Sequence, residues 1–240
     1  MAVNLGWGAS THVGHRRAVN EDSFVADPPV FMVADGMGGH DRGEVASGVV
    51  ADTFRDLASV EDLDHDSVVD ALRSAHRSIR HRREPDGSEM GTTLAAMVLV
   101  PGPPVDHWLM VNVGDSRVYR LAGGLLEQLS VDHSVVQELV EAGELAPESV
   151  ESHPDRHVIT RAVGVGAEIV ADFAVREPEV GERFLLCSDG VHGQLSDEQI
   201  RAALVDQPDP QLAAISLVAA VLAGRAPDNL TAVVVDVTGE

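Results

Sequence analysis

The chain has 240 residues, 44% of them hydrophobic, and a formal net charge of −22; its 17 cationic side chains are all arginines. That length admits one domain or a close pair with a core to fill, and that charge argues against nucleic acid or an anionic membrane as partner, because both need a positive footprint. Cys187 is the only cysteine, so no intramolecular disulfide forms, which suits a reducing cytoplasm.

Residues 2–13 read as a Gly-interrupted edge segment, with no basic-then-apolar signal pattern, and 14–22 as a polar loop. Short strands at 23–26 and 30–34 flank an Asp27-Pro28-Pro29 turn. Asp35 stands where the second strand stops, with Gly36, Gly38 and Gly39 behind it. Helix 44–57 sets Ala46, Val49, Val50, Phe54 and Leu57 on one face and Ser47 on the other. Helix 67–82 opens on a Ser67/Asp70 capping box. Asp62, Asp64 and Asp66 before it lack the glycine and distal glutamate of a calcium loop and read as a solvated helix start.

Strands follow at 92–100, 108–113, 117–121 and 125–129, the last two joined by a Gly123-Gly124 hairpin turn. A helix at 134–140 ends at Gly143, and the polar, proline-containing stretch 144–157 is the mobile excursion. Strands return at 170–175 and 183–187. Ser196 and Gln199 open a helix through Leu204. Asp209 and Pro210 open another, with Leu212, Ile215, Ala219 and Leu222 facing inward. Its nearly apolar run, 212–223, falls short of the ~20 residues that span a bilayer. Strand 230–237 closes the chain. Consecutive hairpin-like strands with helices in pairs point to an α+β fold: antiparallel sheets inside, helices outside.

Five acidic residues stand at the mouths of apolar strands: Asp22, Asp35, Asp115, Asp189 and Asp228. Clustered carboxylates repel one another unless cations lie between them. An all-oxygen set, to which the Gly36 carbonyl is added, suits Mg²⁺ or Mn²⁺; no cysteine pair or HExxH helix offers zinc a site. Two such ions about 3.5–4 Å apart form a site for in-line attack on phosphorus. Arg17 is the candidate phosphate grip, with Arg16 as runner-up. The absence of lysine excludes a Walker loop around Gly36, and a cysteine phosphatase would need an arginine where Gly193 stands. Cys187 reads as a strand-core residue, His133 as a structural hydrogen-bonding residue, and His153 and His157 as solvated. Ser116 and Ser188 have no Asp/His pair positioned to activate them.

The motifs Arg17-x-x-Asn20-Glu21-Asp22-Ser23, Val33-Ala34-Asp35-Gly36-Met37-Gly38-Gly39-His40, Gly91-Thr92-Thr93, Val113-Gly114-Asp115-Ser116-Arg117, Asp132-His133-Ser134, Ile159-Thr160-Arg161-Ala162-Val163-Gly164, Cys187-Ser188-Asp189-Gly190 and Asp228-Asn229-Leu230-Thr231 occur in that order. Together they closely resemble the metal-dependent serine/threonine protein phosphatases of type 2C, in their bacterial form. The resemblance runs from about Gly8 to Val237.

The resemblance implies a four-layer α-β-β-α sandwich: two central antiparallel sheets flanked by helix pairs, in one catalytic domain over 1–240 with a flap at about 134–157. It implies two core Mn²⁺ or Mg²⁺ ions. Asp35 bridges them, the Gly36 carbonyl binds the second, and Asp189 and Asp228 complete the first. Asp115 with Asp189 holds a third, weaker ion. Asp22 and Glu21 act mostly through water, Glu21 and Asn229 stand behind the ligands, and Arg17 grips the substrate phosphate. The implied reaction is hydrolysis of phosphoserine and phosphothreonine in proteins by a bridging hydroxide, with no phosphoenzyme. The implied setting is a cytoplasmic monomer acting on the substrates of a serine/threonine kinase. One departure is Met37, where many eukaryotic members carry a histidine as leaving-group acid; His40 nearby, or a water, is the candidate donor. The rival reading is a metal-binding regulatory module that recognises phosphoproteins without hydrolysing them. A third is a phosphatase dedicated to one regulatory protein.

Overall fold

The apolar stretches pair into two antiparallel sheets stacked face to face in a computed structural model that describes residues 3–38, 42–82 and 89–239. The first sheet has the order β1 (Val3–His12), β11 (Leu230–Gly239), β10 (Arg183–Cys187), β7 (Arg117–Ala122), β8 (Leu125–Gln128). The second runs β2 (Asp22–Asp27), β3 (Val30–Gly38), β5 (Leu94–Val100), β6 (His107–Val113), β9 (Asp172–Arg176), with the short β4 (Met90–Thr92) on the far part of β3. Gly123 and Gly124 both take positive φ in the β7–β8 turn, as a tight hairpin there requires.

Side-chain alternation sends the two faces of each sheet into different cores. Phe31, Met97, Trp108, Phe184 and Val233 fill the space between the sheets, and Trp108 meets Phe31 and Phe184 edge-on at 6.1 and 5.8 Å. On the outer face of the second sheet lie α1 (Arg42–Asp56) and α2 (His65–His81), burying Val50, Phe54, Leu72 and Ile79. On the outer face of the first lie α5 (Asp197–Asp206) and α6 (Pro210–Leu222), burying Ile200, Leu204, Leu217 and Val221. The architecture is the expected four-layer sandwich. The short helices α3 (Val135–Glu141) and α4 (Asp189–His192) complete it. No helix among the described residues is long and apolar enough to cross a membrane.

Several local expectations are corrected. Asp35 does not end its strand: β3 continues to Gly38, changing partner from β5 to β4 on either side of it. Helix α2 is capped by Asp64, whose side chain accepts from Ser67 N, so the cap lies three residues before the expected one. Ser47 is fully buried, not solvated, because its hydroxyl donates to the Glu21 carbonyl at 2.6 Å. Helix α6 turns a different face inward. Leu212 and Ile215 are 53% and 46% exposed, and Ala213, Ala214, Leu217, Val218 and Val221 are buried. A helix apolar on all sides has no stripe to read, and close approach decides its orientation: a Cβ on Gly8 of β1 would lie 2.2 Å from the Gln211 Cα.

Candidate metal centre

One end of the sandwich collects the acidic strand mouths. Asp22 and Asp35 face each other across β2 and β3. Where β3 leaves β5, Thr93 takes over the ladder: its N–H donates to the Asp35 carbonyl, and its hydroxyl accepts from Asp35 N, both at 2.9 Å. The Thr92 hydroxyl donates to the same carbonyl. Ser116 holds the Thr93 hydroxyl at 2.7 Å, tying Asp35 to the turn that carries Asp115. Asp189 opens α4 directly after β10. Asp228 precedes β11, two residues after Ala226, which is buried and held at φ +37°, a left-handed conformation that a non-glycine residue adopts at a cost.

Asn229 assembles the loop that brings Arg17 in. Its amide donates to the carbonyls of Val13 and Val19, each at 3.0 Å, and its oxygen accepts from Glu21 N at 2.8 Å. Gly14 is required in that loop: φ is +78°, and a Cβ would sit 2.0 Å from the Asp228 carbonyl oxygen. Gly36 is equally constrained, since a Cβ there would lie 2.1 Å from the Gly43 carbonyl oxygen. The Glu21 carboxylate accepts from Gly43 N at 2.9 Å, so it caps the start of α1 and holds that helix against Gly36. The pattern of an acidic residue before a strand did not disclose this capping role.

The five carboxylates act on one another. Burial pushes Asp35 well above the usual carboxylate range, and Asp22, Asp189, Asp115 and Asp228 push it further. Asp22 rises to about 7 through burial, with the Thr231 and Ser188 hydroxyls opposing and the charges of Asp189 and Asp228 adding. Asp115 also rises to about 7, from burial and then from Asp189 and Asp132. Asp189 is raised by burial and by Asp228, and less so because Asp35, His157 and Arg17 oppose the shift.

The donor set fits a hard cation. Asp22 Oδ2 accepts from Ser188 Oγ at 2.8 Å and Thr231 Oγ1 at 2.7 Å, while its Oδ1 is buried with no hydrogen-bond partner. Asp189 Oδ1 is in the same condition. Buried anionic oxygens without donors need a cation or a proton. Among the described residues no three Asp, Glu, His or Cys side chains are arranged to hold an ion as they stand. The coulombic coupling reaches further than a coordination bond, and one carboxylate is engaged elsewhere. Asp228 takes Arg17 Nη2 on Oδ2 at 2.8 Å and Asn229 N on Oδ1 at 2.9 Å. Arg17 is half exposed. Arg16 lies outside this group, lining a separate depression with Arg225 and Pro227. His40 and Gly39 lie outside the described residues.

The remaining candidates have structural partners. His133 is buried and accepts Gly114 N on Nδ1 at 3.2 Å, leaving Nε2 to face Asp172 at 3.3 Å. Cys187 is fully buried in a strand, and burial pushes its thiol up to about 12. Ser188 is committed to Asp22 and Ser116 to Thr93. Sequence reasoning missed His192, half-buried at the end of α4, whose Nε2 donates to the Asp115 carbonyl at 3.0 Å; desolvation and Arg117 lower its pKa and favour the neutral ring. His192 carries no sequence signal beyond adjacency to an Asp motif. Arg117 and Asp132, each within one of the motifs, are paired by the fold, Arg117 Nη2 donating to Asp132 Oδ2 at 2.7 Å.

Comparison with known proteins places these features in a family. A sequence profile described as Protein phosphatase 2C matches residues 11–224. The serine/threonine protein phosphatase PstP of Mycobacterium tuberculosis is 40% identical over 243 residues, covering 97% of this chain and 45% of its own length. The chain thus spans less than half of that relative. The crystal structure of the Mycobacterium tuberculosis serine/threonine phosphatase PstP/Ppp superimposes with a TM-score of 0.91 at 38% identity, covering 99% of this chain and 100% of that one. The catalytic domain of PstP in complex with two manganese ions gives 0.89 at 36% identity, again covering 99% and 100%.

Proposed function

The chain belongs to the protein phosphatase 2C family, and from that premise we propose that it hydrolyses phosphoserine and phosphothreonine in proteins with the help of bound Mn²⁺ or Mg²⁺. The observation that carries the reading is the set of mutually coupled carboxylates in which Asp22 Oδ1 and Asp189 Oδ1 are buried without donors. Similarity to a PstP catalytic domain described with two manganese ions supports the choice of metal.

In this reading Asp35, the Gly36 carbonyl, Asp189 and Asp228 would hold two ions, and Asp115 with Asp189 would hold a third. Such ions supply a nucleophilic water at neutral pH and neutralise charge on the phosphoryl oxygens. The chain's own residues do the rest. Asp22, fixed by Ser188 and Thr231, presents one free oxygen to the cluster. Thr93 sets the position of Asp35 through its backbone. Glu21 and Asn229 fix the loop, and Arg17 exchanges its Asp228 partner for the substrate phosphate. The water oxygen bonds to phosphorus, the ester P–O bond opposite it breaks, and the Ser or Thr oxygen leaves with a proton, without a phosphorylated side chain. The substrates are products of a serine/threonine kinase. The chain acts as a monomer in the cytoplasm, as one catalytic unit with 134–157 as its flap.

The test is phosphate release from a phosphothreonine peptide with Mn²⁺ and with EDTA, wild type beside Asp189→Asn. Release that needs the metal and vanishes in the variant is expected. No release at millimolar Mn²⁺, with metal binding shown by calorimetry, overturns the reading in favour of a recognition module that does not hydrolyse.

A further inference from the structure

A groove of about 510 Å³ leaves the metal centre along the outer edge of β2. It starts at Asp22, which belongs to both, and ends at Asp27. One wall is α1, through Gly48, Ala51, Asp52 and Arg55, and Thr11 of β1 also lines the groove. β2 is the terminal strand of its sheet. Among the described residues, no backbone group outside β3 pairs with residues 23–27. An unpaired strand edge is a template for another extended chain. The groove is open at Gly48, where a Cβ would meet nothing within 4 Å.

We infer that this groove receives the substrate itself: an extended segment of the phosphoprotein adds to β2 as a further strand, with the phosphoresidue at the Asp22 end. The inference rests on the phosphatase reading above and names the part of the substrate that reading leaves open. Every strand pairing in the two sheets is antiparallel, and antiparallel pairing is the more stable per residue. β2 runs away from the centre, so an antiparallel strand runs towards it, and the residues before the phosphoresidue occupy the groove. At ~3.4 Å per residue, the position facing Asp27 is about five residues before the phosphoresidue. Asp27 is exposed and has no ion-pair partner among the described residues, whereas Asp52 is paired with Arg55 at 2.6 Å. The groove therefore selects a basic residue at about that position. A local charge match there also offsets the long-range repulsion between a chain of net charge −22 and acidic phosphoproteins.

The experiment compares three substrates with Mn²⁺: a phosphothreonine peptide with an N-terminal flank carrying arginine five residues before the phosphothreonine, the same peptide without the flank, and p-nitrophenyl phosphate. Wild type is measured beside Gly48→Phe, whose Cβ starts in open space at the groove wall. The expected result is about a ten-fold higher KM on removing the flank, at unchanged kcat. Gly48→Phe should raise KM by a similar factor for the long peptide alone. Equal KM with and without the flank, or equal loss on all three substrates, overturns the inference. Absence of any turnover contradicts the phosphatase reading instead. Binding of the fluorescent peptides then decides the groove: about ten-fold weaker binding of the long peptide to Gly48→Phe supports it, and equal affinity overturns it.

Discussion

Arg17 and Asp228, 211 residues apart in the chain, are joined through Nη2 and Oδ2 at 2.8 Å. The residue assigned to the phosphate and a residue assigned to the metal thus hold each other. An ion placed at Asp228 frees the guanidinium, and a freed guanidinium half exposed beside the cluster is placed to meet a phosphate. On that assignment, binding of metal and binding of substrate would be linked through this pair. The hydrogen bond to Asp228 is also what raises the Arg17 pKa, ahead of the weaker pull of Glu21 and Asp35.

Replacing Arg17 by Ala separates the two roles. KM for a phosphothreonine peptide should rise about ten-fold or more, the scale of one lost charge-assisted hydrogen bond, with little change in kcat. Mn²⁺ affinity, followed by calorimetry, should be unchanged or tighter, because Asp228 no longer has a competing partner. Weaker Mn²⁺ binding in Arg17→Ala would show that the arginine supports the metal centre rather than competing with it.

Asp35→Asn and Asp189→Asn should set activity against stability. Each should lower kcat by about a thousand-fold or more, as loss of a catalytic metal ligand does. Each should also raise the melting temperature of the protein in EDTA, since a buried, mutually repelling carboxylate has become neutral. Melting curves in EDTA check this; a lower Tm in both variants contradicts the electrostatic account of the site.

The same carboxylates predict a pH dependence with a definite sign. Asp22 and Asp115 titrate at about 7 in the folded chain, against 3.8 ordinarily. Between those values the folded state holds more protons than the unfolded one, so metal-free stability falls as pH rises. The contribution is fully present below about 4 and lost as pH passes about 7. Tm in EDTA should therefore drop from pH 5 to pH 8, and Asp22→Asn or Asp115→Asn should flatten the slope. The general repulsion of a highly acidic surface acts in the same direction, which makes the flattening, rather than the slope, the decisive observation. Added Mn²⁺ should raise Tm most at the higher pH, where the ligands are ionised.

Asn229→Ala should loosen the loop that carries Arg17. The buried amide makes three hydrogen bonds to backbone groups of Val13, Val19 and Glu21. At about 1 kcal/mol each, the loss should be about 3 kcal/mol in chemical unfolding. KM should rise together with the loss of stability, because Arg17 depends on that loop. A stable variant with normal KM would show that the loop is held without the amide, by Gly14 and by His15 N donating to the Ala226 carbonyl at 2.8 Å.

Local signals were sufficient wherever a segment meets one neighbour. The Gly-Gly hairpin, the Ser196/Gln199 capping box and the single apolar stripes of α1 and α2 were legible in the order of residues, because each depends on contacts a few positions away. So were the acidic residues of the centre, since each follows or precedes an apolar strand, and the family motifs in which they stand. α6 is the counterexample. It is apolar on every side, so its orientation was decided by how closely Gln211 approaches Gly8 on a strand two hundred residues away.

The amino-acid order by itself determined the strands and helices, the acidic residues and the kind of ion they suit, because those follow from periodicity and ligand chemistry. Only the tertiary structure decided what those residues touch. It set Asp35 within a strand whose neighbour changes, turned Glu21 into a helix cap, buried Ser47 beneath it, and closed Arg17 onto Asp228. Each of these is a contact between distant segments brought together by the stacking of two sheets. Their energies depend on burial and on a few tenths of an ångström, which no spacing along the chain records.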